Sequence, residues 1–251
     1  MGKRVLDDGR VCDFCGGTDR YYKESVEDLI CVPMVQYFGA DRAIFHAAGR
    51  EDVDVRVLGT GRPFVVELEF ESVLPAAKVN EKFTNLSIIE KRMNISAKNL
   101  IKIHNLSLCD RLTMVKLKQN AEFAAKSYLA LVYSPIPWDP NEIPKFLETS
   151  IKKFTHTNIT QGIPQRIIHR KGDRVRTKHI HSLAISFIDP AHFLLRIIAQ
   201  GGTYIKELIS GDDGRTTPSF AEIACRPLIC AELDVIAIED GSSVEITPAS
   251  A

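Results

Sequence analysis

Apolar positions along the 251-residue chain switch between helical and alternating spacing. Ser25 to Tyr37 places Val26, Leu29, Ile30 and Val35 at helical intervals and is followed by Gly39, so a helix with that inward stripe and a glycine stop is expected. Phe64 to Phe70 alternates and is rich in β-formers, as are Ser127 to Tyr133, His181 to Ile188 and Phe193 to Ala199; these read as strands. Asn80 to Met93 and Glu142 to Phe154 read as helices, with Pro135, Pro137 and Pro140 breaking the chain before the second. The last two strands form a hairpin across Asp189-Pro190, and a short helix begins within Thr203 to Ile209. Phe45 to Arg62, punctuated by glycines and charges, reads as a turn-rich loop of the kind that carries chemistry. Strands and helices mix without a strict βαβ repeat, so the class is α+β with a largely antiparallel sheet.

Composition narrows the classes. Hydrophobic residues make up 45% and charged residues 25%, which is ordinary globular usage. No run of about 18 apolar residues is present to span a bilayer, and no export signal precedes the first strand, so an intracellular protein, cytoplasmic or nuclear, without a membrane partner is expected. Of the six cysteines, Cys12 and Cys15 form one CxxC, while Cys225 and Cys230 are too widely spaced to complete it. Tetrahedral zinc needs four ligands, so no metal is expected at Cys12 and Cys15.

Formal net charge is zero, but its distribution is uneven. Arg166, Arg170, Lys171, Arg174, Arg176 and Lys178 face only Asp173 between Gln165 and His181, with His169, His179 and His181 among them; the final residues carry Glu232, Asp234, Glu239, Asp240 and Glu245 with no cation. A basic stretch of this kind fits a polyanion-binding face, and its bland alternative is a solvated edge strand. Three further segments can carry chemistry. Gly49 to Arg62 sets Asp52 and Asp54 among Arg50, Arg56 and Arg62, where guanidinium groups hold a carboxylate ionised, or form a surface turn laced with ion pairs. Gly201-Gly202-Thr-Tyr-Ile-Lys206 runs into Gly211-Asp-Asp-Gly-Arg215, and Lys126-Ser-Tyr128 lies on a strand where a tyrosine is ordinarily core. Asp212 and Asp213 also admit a metal-dependent phosphate site, though no metal-ligand set surrounds them in sequence.

Taken together, Gly49-Arg-Glu-Asp-Val-Asp-Val-Arg56, Gly61-Arg-Pro-Phe64, Pro164 through His169-Arg170, Gly202-Thr-Tyr-Ile-Lys-Glu-Leu208, Gly211-Asp-Asp-Gly-Arg-Thr216 and Glu232-Leu-Asp-Val235 resemble the pseudouridine synthases of the Pus-ten family, archaeal and eukaryotic enzymes acting on the T arm of tRNA. The resemblance implies a pseudouridine synthase fold over residues 24–240, a mixed, mostly antiparallel sheet flanked by helices with the cleft across its face. Residues 1–23 would be a linker or remnant of the family's THUMP-type accessory domain, which is expected to be missing here, and residues 241–251 a tail.

The same resemblance implies site roles. Asp52 would be the nucleophile, with Asp54 as the alternative, and Lys206 its cationic partner. Tyr128 would stack on the base, Tyr204 would contact the substrate, and Arg50 would fill the space left by the extruded base. Arg166, His169, Arg170, Arg174, Arg176 and Lys178 would bind phosphates of the tRNA, giving affinity that falls steeply with salt. No cofactor is implied. The reaction would isomerise a T-arm uridine (55, with 54 as a second candidate); the competing reading is a catalytically weak RNA-binding module of the same fold. Extruding a nucleotide costs a few kcal/mol, and stacking on one ring returns roughly 1–3 kcal/mol.

Overall fold

The computed structural model describes residues 24–71, 83–120, 124–168 and 172–239. Two compact units divide the chain, one of residues 1–46 and 64–114, the other of 47–63 and 115–251.

The first unit holds α1 (Val26–Phe38), the strands β1 (Arg42–Ala47) and β3 (Phe64–Glu69), which form a two-stranded sheet, and α2 (Leu86–Ser96). Ser25 caps α1 reciprocally with Asp28, satisfying two free backbone donors, and Gly39 ends the helix in the left-handed conformation. The inward stripe differs from the expected one. Ile30, Cys31, Met34 and Phe38 are buried, while Val26 sits exposed in the first turn. Ile30, Met34 and Phe38 pack with Ile89 and Met93 of α2 and with Ile103. α2 begins later than the expected Asn80, whose residues 80–82 lie outside the described part. Between the units' main bodies of sequence runs α3 (Arg111–Asn120), started by Asp110, whose carboxylate accepts the Thr113 N–H at 2.8 Å.

The second unit is built on a seven-stranded sheet. β2 (Val55–Val57), β4 (Ala125–Tyr133), β5 (Thr157–Gly162), β6 (Val175–Asp189), β7 (His192–Gln200), β8 (Thr216–Thr217) and β9 (Ile229–Glu239) lie in the order β2-β9-β4-β7-β6-β5-β8. Every pairing described is antiparallel except β2 with β9, in agreement with the mixed, mostly antiparallel α+β sheet expected. The β6–β7 hairpin turns at Asp189, paired with His192, as expected. Helices α4 (Ile143–Phe154), α5 (Ile205–Ser210) and α6 (Phe220–Ala224) supply Phe146, Phe154, Leu208 and Phe220 to a core completed by Val132, Phe193, Leu195 and Ile197 of the central strands. Each such side chain contributes about 1.5–3 kcal/mol by leaving water.

Several strands form where none was expected. The loop assigned to Phe45–Arg62 contains the end of β1 and all of β2. β5 has one apolar residue, Ile159, buried, and gives no hydrophobic signal. β9 was not expected as a strand; of the acidic residues noted near the end of the chain, it holds Glu232, Asp234 and Glu239, and Arg56 of β2 pairs with two of them, donating from Nε to Asp234 Oδ1 at 2.6 Å and from an Nη to Glu232 at 3.3 Å. Among the described residues, no helix is long and apolar enough to cross a membrane.

Candidate active site

The turn carrying Asp52 is fixed at both ends within the second unit. After it, the Val55 N–H donates to Asp52 O at 3.1 Å, β2 runs beside β9 with Val55 opposite Leu233, and the Leu58 N–H donates to Val235 O at 2.8 Å. Gly59 must be glycine: its φ is +63° and a Cβ would stand 2.0 Å from Ile236 O. Before the turn, Arg62 donates to Ala48 O at 2.7 Å and to Glu51 Oε1 at 2.5 Å, and Lys126 donates to the same Glu51 oxygen at 3.1 Å. Gly49, at φ +87°, leaves room for these cations, since a Cβ there would lie 2.9 Å from the Arg62 guanidinium. Three separate motifs thus meet at Glu51, one residue from Asp52.

Asp52 turns the other way, its side chain 39% exposed. Arg166 reaches its Oδ2 at 2.7 Å and Lys206 stands 3.8 Å from the same oxygen. Lys206 donates at closer range to both carboxylate oxygens of Asp54, at 2.7 and 2.6 Å. This hydrogen bond holds the Asp54 carboxyl below the usual carboxylate range, against a smaller opposing effect of desolvation. The far edge of Arg166 is also engaged, Nε donating to Glu207 Oε1 at 2.8 Å. Partial burial works against the Arg166 charge, but the bonds to Glu207 and Asp52 outweigh it and raise its pKa. A cleft of about 270 Å³ opens beside Asp54, Arg56 and Lys206, bounded by Cys230 to Leu233 of β9. Burial pushes the Cys230 thiol up to about 11, so it is neutral there.

The first turn of α5 supplies Lys206 and Glu207, and its entry is held by side chains. Gln161 accepts the Tyr204 N–H and donates to Tyr204 O, both at 2.9 Å. Lys178 is 4% exposed and donates to Gly201 O at 2.7 Å, across from Gly202 at φ +77°. Lys178 therefore braces the turn before α5. The expectation that it faces phosphate is corrected: Lys178 shares a strand face with Arg176 two residues before it, but the Gly201–Gly202 turn covers that face at Lys178 and leaves Arg176 exposed.

The other expected residues separate into groups. Arg176 is exposed on β6 and Arg174 is exposed just before it, and Arg50 is exposed beside the Asp52 turn. Arg166 is drawn out of the basic stretch into the carboxylates. Tyr204 is half-buried at the start of α5. Tyr128 is 2% exposed in the core, its phenol pushed above the usual range by burial and then by the Glu51 charge, so contact with a base requires covering side chains to part. His169, Arg170, Cys12 and Cys15 lie outside the described residues. Asp212 and Asp213 accept the N–H and the side-chain amide of Gln165, both at 3.1 Å. Sequence reasoning missed Glu51, Gln161 and Glu207; their signal lay in motifs already noticed, since each is adjacent to, or pairs with, a residue singled out.

The family described as "Pus10, C-terminal" matches residues 10–239 of this chain. A "tRNA pseudouridine synthase Pus10" of Thermofilum pendens is 40% identical over 219 residues, covering 87% of this chain and 47% of that protein. One of the same description from Methanocaldococcus jannaschii is 36% identical over 237 residues, covering 94% and 49%. The chain spans about half the length of the curated relatives it matches. Among solved structures, a chain of the "Crystal Structure of a Cbf5-Nop10-Gar1 Complex" superposes with a TM-score of 0.44 at 17% identity over 82% of this chain and 43% of that one, a likeness too loose to carry weight.

Proposed function

This chain belongs to the Pus10 C-terminal family, and from that membership we propose that it is the catalytic part of a tRNA pseudouridine synthase that isomerises a T-arm uridine with Asp52 as the nucleophile. The observation that carries the reading is the setting of Asp52: a half-open carboxylate on a turn pinned at both ends, with one cation at 2.7 Å and a second at 3.8 Å. Cations at that range keep a carboxylate ionised as a nucleotide displaces water, and an ionised carboxylate is what any attack on the sugar or the ring needs.

The isomerisation balances without a co-reactant. The bond from uracil N1 to the ribose carbon breaks, the bond from C5 to the same carbon forms, C5 loses its proton and N1 gains one. Asp52 holds the detached sugar or base fragment while uracil turns. Asp54 is the weaker candidate, because Lys206 occupies both of its oxygens. Arg174 and Arg176 supply open cations for tRNA phosphates, and Arg50 is free to enter the gap left by the extruded base.

A second reading has its own support. The Tyr128 ring is enclosed and Asp52 is held by Arg166, an arrangement that suits an RNA-binding module with weak turnover. Incubation with an unmodified tRNA transcript, followed by chemical mapping of pseudouridine, separates the two. Product in the T arm supports the enzyme. Retained binding with no product at any uridine supports the module.

A further inference from the structure

We infer that Arg166 acts on the nucleophile and does not bind phosphate, and that Glu207 is the residue that positions it, with the Gly211-Asp-Asp-Gly-Arg215 loop as the scaffold of both. The inference rests on the reading of Asp52 as nucleophile and adds two residues to it.

Both edges of the Arg166 guanidinium are committed. Nε donates to Glu207 at 2.8 Å and an Nη meets Asp52 at 2.7 Å. A phosphate would have to displace a carboxylate to reach it, so the positive charge is already spent inside the site. Glu207 is 5% exposed, and its second oxygen has no partner among the described residues. A carboxylate kept that deep with half its lone pairs unsatisfied is costly unless the cation it holds is fixed. A planar fork suits the task, since it presents separate donors in a rigid geometry that a lysine lacks.

The backbone of Arg166 is fixed from the opposite side. It sits in the short 3₁₀ turn Gln165–Ile167, and Gln165 is anchored through its N–H to Asp212 and through its amide to Asp213. Arg215 ties the same loop back, donating to Ile163 O at 3.1 Å and pairing with Asp173. These contacts explain why a glycine-flanked acidic pair follows α5: it sets the turn from which Arg166 reaches Asp52.

The test compares Arg166→Gln/Glu207→Gln, Glu207→Gln and Arg166→Lys with wild type on a tRNA transcript. The double variant removes cation and buried anion together, so neither is stranded, and thermal unfolding verifies its fold. Expected for the double variant are a single-turnover rate lower by about 100-fold, KM for tRNA within about threefold, and an unchanged slope of log affinity against log salt. Glu207→Gln should lower the rate with KM unmoved, and Arg166→Lys should recover only part of it. A wild-type rate in the double variant with a raised KM and a salt slope reduced by about 1 would make Arg166 a phosphate contact and overturn the inference. Wild type that binds the transcript without forming product overturns the functional reading instead, and the salt slope still decides whether Arg166 meets phosphate.

Discussion

Glu51 shares one carboxylate oxygen between Arg62 and Lys126, the latter with a side chain only 5% exposed, whereas Asp52, the next residue, meets Arg166 and Lys206 where the guanidinium is 41% exposed. Both clusters set a carboxylate against two cations. What separates them is access to water and to ligand. The inner one is sealed, so breaking it leaves charge stranded; the outer one is open, so its carboxylate can be reached. The division follows the partners on each side: Arg62 and Lys126 hold Glu51, while Asp52, whose carbonyl closes the turn to Val55, meets Arg166 and Lys206.

The sharpest way to break the contrast is to open the inner cluster. Glu51→Ala strands Lys126 and Arg62 and should cost about 2–4 kcal/mol, discounted slightly for partial exposure, with turnover falling alongside; urea unfolding reads the first and product formation the second. In the outer cluster the two readouts should part. Lys206→Met is expected to lower the single-turnover rate by about 100-fold while changing stability by less than about 1 kcal/mol. Arg174→Ala and Arg176→Ala lie further out and should each raise KM and reduce the salt slope of binding by about 1, leaving the rate at saturation near that of wild type.

The smallest effect concerns Asp54 and pH. Lys206 lowers its folded-state pKa, so the stabilisation exists above the unfolded-state value of about 3.9 and disappears as pH falls through the lower folded-state value. Because the side chain is 65% exposed, the increment should stay below about 0.5 kcal/mol. Asp54→Asn should therefore unfold slightly more easily than wild type at neutral pH and equally at strongly acid pH.

The same contrast marks what could be read from sequence. The Asp52 and Lys206 motifs lie 154 residues apart, yet their juxtaposition was expected from the resemblance, and the structure brings them to 3.8 Å. The core strands β4, β6 and β7 were visible because alternation there reports burial directly. The role of each cation in the basic run was not visible. Six positive charges in a row look alike, but Lys178 turns inward under Gly201 and Arg166 is captured by Glu207, whose partner lies 41 residues away. β9 was hidden for the same reason: its carboxylates have no cation near them in sequence, and the partner of Asp234 is Arg56, 178 residues earlier. Long-range charge pairing leaves no local periodicity to detect.

Single-turnover pseudouridine formation by Asp52→Asn, with enzyme in excess over a tRNA transcript and folding verified by thermal unfolding, bears most directly on the division between the two clusters. Asp52→Asn should melt within a few degrees of wild type, bind the transcript, and form no measurable product. Product at the wild-type rate would remove Asp52 from the chemistry and leave both clusters structural.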